Sequence, residues 1–421
     1  DNINSGGLRG NVGMTFDQTV RTNTSRINLS SNTEDSLRID FDNSSLATGA
    51  AVYGNDRYLF VALETSRELA VYDMLNGFEL MRLPTGRAPQ GVALSSDGRN
   101  AYVHNFMDRS ISRFDLVEMI ETDLPASNPL TPINVVASET LSPDVLLGKQ
   151  LFYDAEDDRL ARDDYMSCAS CHNDGGQDGR VWDFTSLGEG LRNTIELNGR
   201  GGLTHGFLHW SANFDEVQDF EGQIRRFSAG TGLTSDAVFN SGTRSEPLGD
   251  PLSGLSADLD ALAAYVSSLD TFAPSPYRNG DGTLTAAAEA GKTVFQTNGC
   301  GTCHGGSRFT SSADASIVSD IGTLTAASGT RLFGPLTGID TPTLRDVWGS
   351  GPYLHDGSAL TLADAVAAHN GVSISAGDMD NLVAYLQQIG RDEEAPFVDS
   401  DGDGVPDDED AFPNDPNETT D

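Results

Sequence analysis

The chain has 421 residues, a formal net charge of −37 and 38% hydrophobic residues, enough for about two to four domains, each burying its own core. Such a negative surface repels a phosphate backbone or an anionic bilayer, which excludes nucleic-acid and anionic-membrane binding and favours cations and basic protein partners. No run approaches the roughly 20 consecutive apolar residues that a membrane helix needs, so no membrane span is expected. The opening at polar Asp1 carries no signal-peptide pattern and reads as an already processed product.

The first stretch repeats with a period of 42 residues: Gly49 matches Gly91, Arg57 Arg99, Val61 Val103, Arg67 Arg109 and Asp73 Asp115. That period belongs to propeller blades. Tyr58-Leu-Phe-Val-Ala62 and Leu69-Ala-Val-Tyr72 read as short strands, and Asn55-Asp56 and Ser96-Asp97-Gly98 as turns. The stretch resembles the YVTN-type β-propeller repeats of surface proteins, with room in residues 1–125 for two to three blades of an all-β segment. A closed propeller has at least about four. Either the segment belongs to a longer precursor, or its strands form an open sheet packed on the rest.

A looser repeat follows, in which Gly148-Lys-Gln-Leu-Phe152 recurs as Gly291-Lys-Thr-Val-Phe295 and Leu262-Ala-Ala-Tyr265 as Leu382-Val-Ala-Tyr385. Apolar residues at Leu259, Leu262, Val266 and Leu269, and at Leu382, Val383, Leu386 and Ile389, mark one face of a helix closing each unit. Between these flanks stand Cys168-Ala-Ser-Cys171-His172 and Cys300-Gly-Thr-Cys303-His304, two copies of the Cys-x-x-Cys-His pattern that attaches c-type haem. Two thiols three residues apart reach both vinyl groups of one porphyrin, and the histidine that follows lies beneath the iron as its proximal ligand. Paired Cys-x-x-Cys also makes zinc ribbons, but a ribbon does not need a histidine directly after each pair. The expected architecture is therefore multidomain. A partial β-propeller-like segment precedes two mainly α cytochrome c domains, at 138–272 and 282–395, with Pro274 to Asp281 as linker. Two covalently bound haem c groups are the expected cofactors. Their attachment outside the cytoplasm makes the expected location the bacterial periplasm, cell surface or exterior.

The tail, 396–421, places Asp399, Asp401, Asp403, Asp407 and Asp410 around glycines, as oxygen-ligand calcium loops do, and resembles a thrombospondin type 3 repeat. A solvated acidic linker is the alternative.

Thr341-Pro-Thr-Leu-Arg345, followed by Gly351-Pro-Tyr-Leu-His355-Asp-Gly357, makes residues 140 to 392 resemble the di-haem cytochrome c peroxidase superfamily, which includes the enzyme that matures tryptophan tryptophylquinone. The resemblance implies a distal ligand for the second haem 14 residues after His355, which is His369. The family's peroxidases carry methionine there and the quinone-maturing enzyme tyrosine. Histidine implies a bis-histidine haem with no open position, suited to electron transfer. Met379 is the other candidate ligand. Matching Phe207-Leu-His209 to Tyr353-Leu-His355 puts Gln223, a poor ligand, in the corresponding slot of the first haem and leaves that iron open to a small oxidant such as hydrogen peroxide.

The family's histidine ligand to the first haem has no counterpart in Ser186-Leu-Gly-Glu-Gly190, and its inter-haem tryptophan falls at His209 or Trp210. Its active-site glutamine and glutamate map onto Asp219 and Ala229, so that pair is not preserved. A peroxidase needs a distal acid–base group, for which Gln218, Asp219 and Glu221 are the nearest candidates, with Trp210 between the haems. Each acid in this stretch equally fits a solvated helix face. The reading is an exported, peroxidase-like di-haem oxidoreductase with a reactive first haem, served by a basic electron-transfer partner. The alternative is a non-enzymatic electron-transfer cytochrome with His205 or His209 closing the first iron, one unit of a surface assembly. His104, on Tyr102-Val-His104-Asn105, reads as a strand residue.

Overall fold

A computed structural model describes residues 2–3, 22–54, 56–313 and 318–396. The acidic tail at 399–410 lies outside the described residues. So does Asn55, part of one expected turn.

The short strand β1 (Asn2–Ile3) precedes a hairpin of β2 (Thr22–Asn28) and β3 (Thr33–Phe41). Two four-stranded antiparallel meanders follow. The first is β4 (Ala47–Tyr53), β5 (Tyr58–Leu63), β6 (Glu68–Asp73) and β7 (Phe78–Pro84). The second is β8 (Pro89–Leu94), β9 (Asn100–Asn105), β10 (Ser110–Asp115) and β11 (Asn128–Asn134), with α1 (Val117–Thr122) between its last two strands. The 42-residue period is thus one sheet per repeat. The matched residues do matched work: Arg67 and Arg109 take left-handed turns at φ 55° and 52°, and Asp73 and Asp115 each accept backbone N–H groups two residues on. β5 is buried throughout because it is covered on both faces, while β9 alternates, turning Ala101 and Val103 inward and Tyr102 and His104 outward.

The sheets meet along β4 and β8, where a Cβ on Gly49 would come within 2.8 Å of the Gln90 carbonyl. Phe60, Leu69, Val71, Val103 and Phe114 fill the space between. Two sheets and a hairpin do not close a ring among the described residues.

The helical part contains α2 (Pro143–Phe152), strands β12 (Val181–Asp183) and β13 (Leu191–Asn193), α3 (Glu221–Arg226), α4 (Asp236–Phe239) and α5 (Ala257–Ser268). Then come α6 (Ala286–Thr297), strands β14 (Thr330–Arg331) and β15 (Gly334–Pro335), α7 (Leu362–Ala367) and α8 (Ala376–Leu386). β12 pairs with both β1 and β13.

The looser sequence repeat is a helix pair made twice. α2 crosses α5 where a Cβ on Gly148 would lie 1.8 Å from the Ala261 carbonyl oxygen, and α6 crosses α8 where one on Gly291 would lie 1.9 Å from that of Asn381. Backbone-to-backbone crossing admits no side chain. Each crossing is flanked by an edge-on aromatic pair, Phe152 with Tyr265 at 5.1 Å and Phe295 with Tyr385 at 5.6 Å.

The β part sits on the first helix pair. Ala88 and Met107 share a core with Leu151, Phe152 and Tyr265, Arg67 pairs with Asp154 and Glu156, and the Ala155 N–H donates to the Thr65 carbonyl at 2.8 Å. The stretch expected as linker, Pro274 to Asp281, begins along the second helix pair: just before it the Ala273 N–H donates to Asp346 at 2.7 Å, and within it Ser275 Oγ donates to the Gln387 carbonyl at 2.7 Å.

Candidate functional site

Each paired-cysteine motif folds as one short 3₁₀ turn, Cys168–Ser170 and Cys300–Thr302, and in both the histidine N–H closes on the first cysteine's carbonyl at 2.9 Å. His172 Nδ1 lies 3.2 Å from the Gly176 carbonyl and His304 Nδ1 3.1 Å from that of Pro342. A carbonyl only accepts, so each Nδ1 carries the proton and each Nε2 carries the lone pair. Burial holds both imidazoles neutral: it lowers the His172 pKa, and it brings His304 to about 4, helped by the nearby His369.

The surroundings fit haem better than zinc. Burial pushes the Cys168 thiol up to about 11 and raises those of Cys171 and Cys300, whereas zinc binds thiolates. No three Cys, His, Asp or Glu side chains converge on a metal position among the described residues. Beside the first motif, Arg200 is buried with Nη1 unpartnered, and burial brings its pKa down to about 10. The unpartnered Nη1 is where a haem propionate would be held. Glu196 and Asp346 are near enough to raise the Arg200 pKa, and Arg200 in turn depresses that of His172. Nothing in the sequence pattern marks Arg200, because a buried donor atom without a partner is a tertiary fact.

Around the second motif, His369 follows α7 and its Nδ1 donates to the Ala365 carbonyl at 2.9 Å, leaving Nε2 as an acceptor. α7 contributes Leu362 and Val366 to the core that holds Cys300. Arg345, of the Thr-Pro-Thr-Leu-Arg stretch, spreads its guanidinium over the carbonyls of Ser307, Gly390, Arg391 and Glu393 and stands 5.0 Å over the Phe309 ring. The loop after His304 is thereby tied to the end of α8.

The matching turns of the two units correct one alignment. Leu208 bridges Phe214 and Tyr353 bridges Ala359. His209 and Leu354 both have left-handed backbones, φ 68° and 71°, and accept from Ala212 and Gly357 respectively. Trp210, not His209, therefore corresponds to His355. The two are joined through one strand residue: Trp210 Nε1 donates to the Asn193 carbonyl at 2.8 Å, and the Asn193 N–H donates to the His355 carbonyl at 2.7 Å. His355 is buried, with Nε2 2.9 Å from Ser328 Oγ. Counted from Trp210, the slot matching His369 is Ile224 rather than Gln223, and the family's glutamine and glutamate positions move on by one to Phe220 and Gly230. Ile224 is buried in the core that holds Cys168. It has no donor atom for iron.

Of the acid–base candidates, Glu221 is fully buried and occupied, accepting from Arg225 Nε at 2.8 Å, the Leu233 and Thr234 N–H groups and Thr234 Oγ1. Gln218 Nε2 donates to Asp260 at 2.9 Å. Asp219 is buried and pushed up to about 7, by burial and then by Asp215 and Glu216. His205 donates from Nδ1 to the Gly202 carbonyl at 2.9 Å and lines a cavity of about 380 Å³ with Gly305, Gly306 and Arg308, next to the second motif. His209 has both ring nitrogens engaged, Nδ1 with Asn213 Oδ1 at 2.7 Å and Nε2 with Gln223 Nε2 at 3.0 Å.

The di-haem cytochrome c peroxidase family profile matches residues 142–232. The hydrazine synthase gamma subunit of Kuenenia stuttgartiensis is 32% identical over 259 residues, covering 53% of this chain and 68% of that one. The cytochrome c551 peroxidase of Pseudomonas aeruginosa is 27% identical over 283 residues, 58% of this chain and 77% of that one. A solved structure of the Kuenenia stuttgartiensis hydrazine synthase aligns at 28% identity with a TM-score of 0.40, over 60% of this chain and 88% of that one. With the paired motifs, the repeated helix crossing, the matching family profile and the 32%-identical relative in agreement, the chain belongs to the di-haem cytochrome c peroxidase family.

Proposed function

We propose that the chain is an exported, peroxidase-like di-haem oxidoreductase in which His172 holds a reactive haem and His304 with His369 holds an electron-transfer haem. The observation that carries this is the contrast between the two units. One brings His369, its Nδ1 bonded to the Ala365 carbonyl and its Nε2 left free as an acceptor, close enough to His304 to depress its pKa. The other offers buried Ile224 at the matching place. Bound haem supplies redox-active iron, and reduction of one hydrogen peroxide takes two electrons and two protons to give two waters.

The chain's own residues bind and orient. Cys168 with Cys171, and Cys300 with Cys303, are the attachment points, and Arg200 is the cation for a propionate. Gly176 and Pro342 hold the two proximal imidazoles as Nδ1–H tautomers through their carbonyls, raising ligand basicity at Nε2. Trp210, Asn193 and His355 form a bonded bridge between the units. Of the candidates Gln218, Asp219 and Glu221, Asp219 is left as the acid that no charge partner consumes, since Glu221 is paired with Arg225.

The same proposal divides the chain into 1–125, 138–272, 282–395 and 396–421, assigns calcium to the last segment, and places the protein outside the cytoplasm with a basic electron partner. No helix among the described residues is long and apolar enough to cross a membrane. Cyanide titration of the ferric protein tests the reading. Binding at one haem per chain is expected, and binding at neither overturns it.

A further inference from the structure

The first unit contains a hydrogen-bonded chain that no step above uses. Glu189 lies in the stretch where the family's histidine ligand has no counterpart. Its carboxylate accepts from Asn213 Nδ2 at 2.5 Å, from Ser211 Oγ at 2.8 Å and from Arg192 Nη2 at 3.2 Å. A carboxylate only accepts, so the Asn213 amide must turn its nitrogen to Glu189 and its oxygen to His209. His209 Nδ1 therefore carries the proton it donates to Asn213 Oδ1 at 2.7 Å, and Nε2 carries the lone pair. The Gln223 amide answers with its nitrogen, 3.0 Å away, which leaves its carbonyl oxygen uncommitted to the chain. The imidazole is boxed by Phe214, 4.2 Å between centroids, and by Phe220 edge-on at 5.2 Å, so it cannot swing out of line.

The chain ends at the first haem site. Gln223 lies on α3 one turn before Phe227, hence on the same face, and Phe227 packs in the cluster of Cys171, Trp182 and Phe184. The next residue, Ile224, packs with Cys168.

We propose that Glu189, Asn213 and His209 are positioning residues that fix the orientation of the Gln223 amide, so that its carbonyl oxygen, not its nitrogen, faces the open side of the first haem site. This rests on the reading of that haem as open. An acceptor there favours ligands that bring a proton, such as water or a peroxide, and disfavours a bare anion such as fluoride, which needs a donor.

Fluoride titration of the ferric holoprotein, read from the high-spin absorption bands, tests the assignment. In His209→Leu the Gln223 amide is released to turn its nitrogen inward, and fluoride affinity should rise about tenfold, the worth of one charge-assisted hydrogen bond. Asn213→Leu removes the group that sets the histidine tautomer, together with its bond to Glu189, and should raise it about threefold, which keeps the test available if the histidine variant fails to load haem. The second haem's low-spin spectrum should not change in either. Affinities within twofold of the unmodified protein in the variants that load overturn the proposal while leaving the open first haem standing. An unmodified protein that binds neither fluoride nor cyanide overturns both.

Discussion

Glu221 separates a structural account of α3 from a catalytic one. Its carboxylate sits at the start of the helix, fully buried, and takes five roles at once: partner to Arg225, acceptor for two backbone N–H groups and one hydroxyl, and anion at a helix N-terminus. Glu221→Ala leaves the Leu233 and Thr234 amides buried without an acceptor and strips Arg225 of its buried partner, although Asp236 still holds Nη1 at 2.6 Å. Removing one partner of a buried, hydrogen-bonded charge pair costs about 3–5 kcal/mol. In a unit of 150–250 residues about 3 kcal/mol corresponds to a fall of roughly 6–12 °C in midpoint. Calorimetry of the ferric holoprotein, with urea unfolding as a second measure, checks this. A midpoint within about 2 °C of the unmodified protein, together with lost peroxide turnover, would refute the structural reading and return Glu221 to the active site.

Gly291→Ala should destabilise by at least about 1–3 kcal/mol, because the new methyl meets the Asn381 carbonyl, while Gly377→Ala, with nothing near its Cβ, should be neutral or stabilising. Chemical denaturation of the pair tests the backbone crossing. Arg345→Lys exchanges a fork bound to four carbonyls for one point charge and should cost about 2–4 kcal/mol in the same assay. Glu64, Asp219 and Asp340 are buried carboxyls each pushed up to about 7, first by burial. The folded chain therefore binds more protons than the unfolded one between about pH 4 and 7, so stability should fall as pH rises through that window, and Asp219→Asn should flatten the fall in midpoints measured from pH 5 to 8. His369→Ala should remove one low-spin ferric signal, and an unchanged spectrum would show that another group holds that position.

The features legible in the sequence were those with a local pattern. The 42-residue period corresponds to one meander per repeat because hairpin turns recur at Arg67 and Arg109, and Gly148 and Gly291 recur because both helix pairs cross at their backbones. The paired-cysteine motifs carry their own geometry in five residues. By its letters the turn before α3 aligns one position off, because Leu-His recurs at His209 and His355, while the left-handed backbone recurs at His209 and Leu354. Identity and conformation disagree there, and conformation decides which side chains are equivalent. Glu221 looked like a distal acid because acids near a haem motif are chemically plausible, and only the loop at 233–234 folding back onto it shows that it is occupied. Arg200 and the chain from Glu189 to Gln223 join residues whose spacing follows no period, so no pattern in the sequence announces them.

The proposed function makes the two haems unequal, the second closed by His369 and the first open beside Ile224. Low-temperature electron paramagnetic resonance of the fully ferric protein measures this directly. One high-spin and one low-spin signal of equal weight per chain is the predicted spectrum, and two low-spin signals with none at high spin would contradict it.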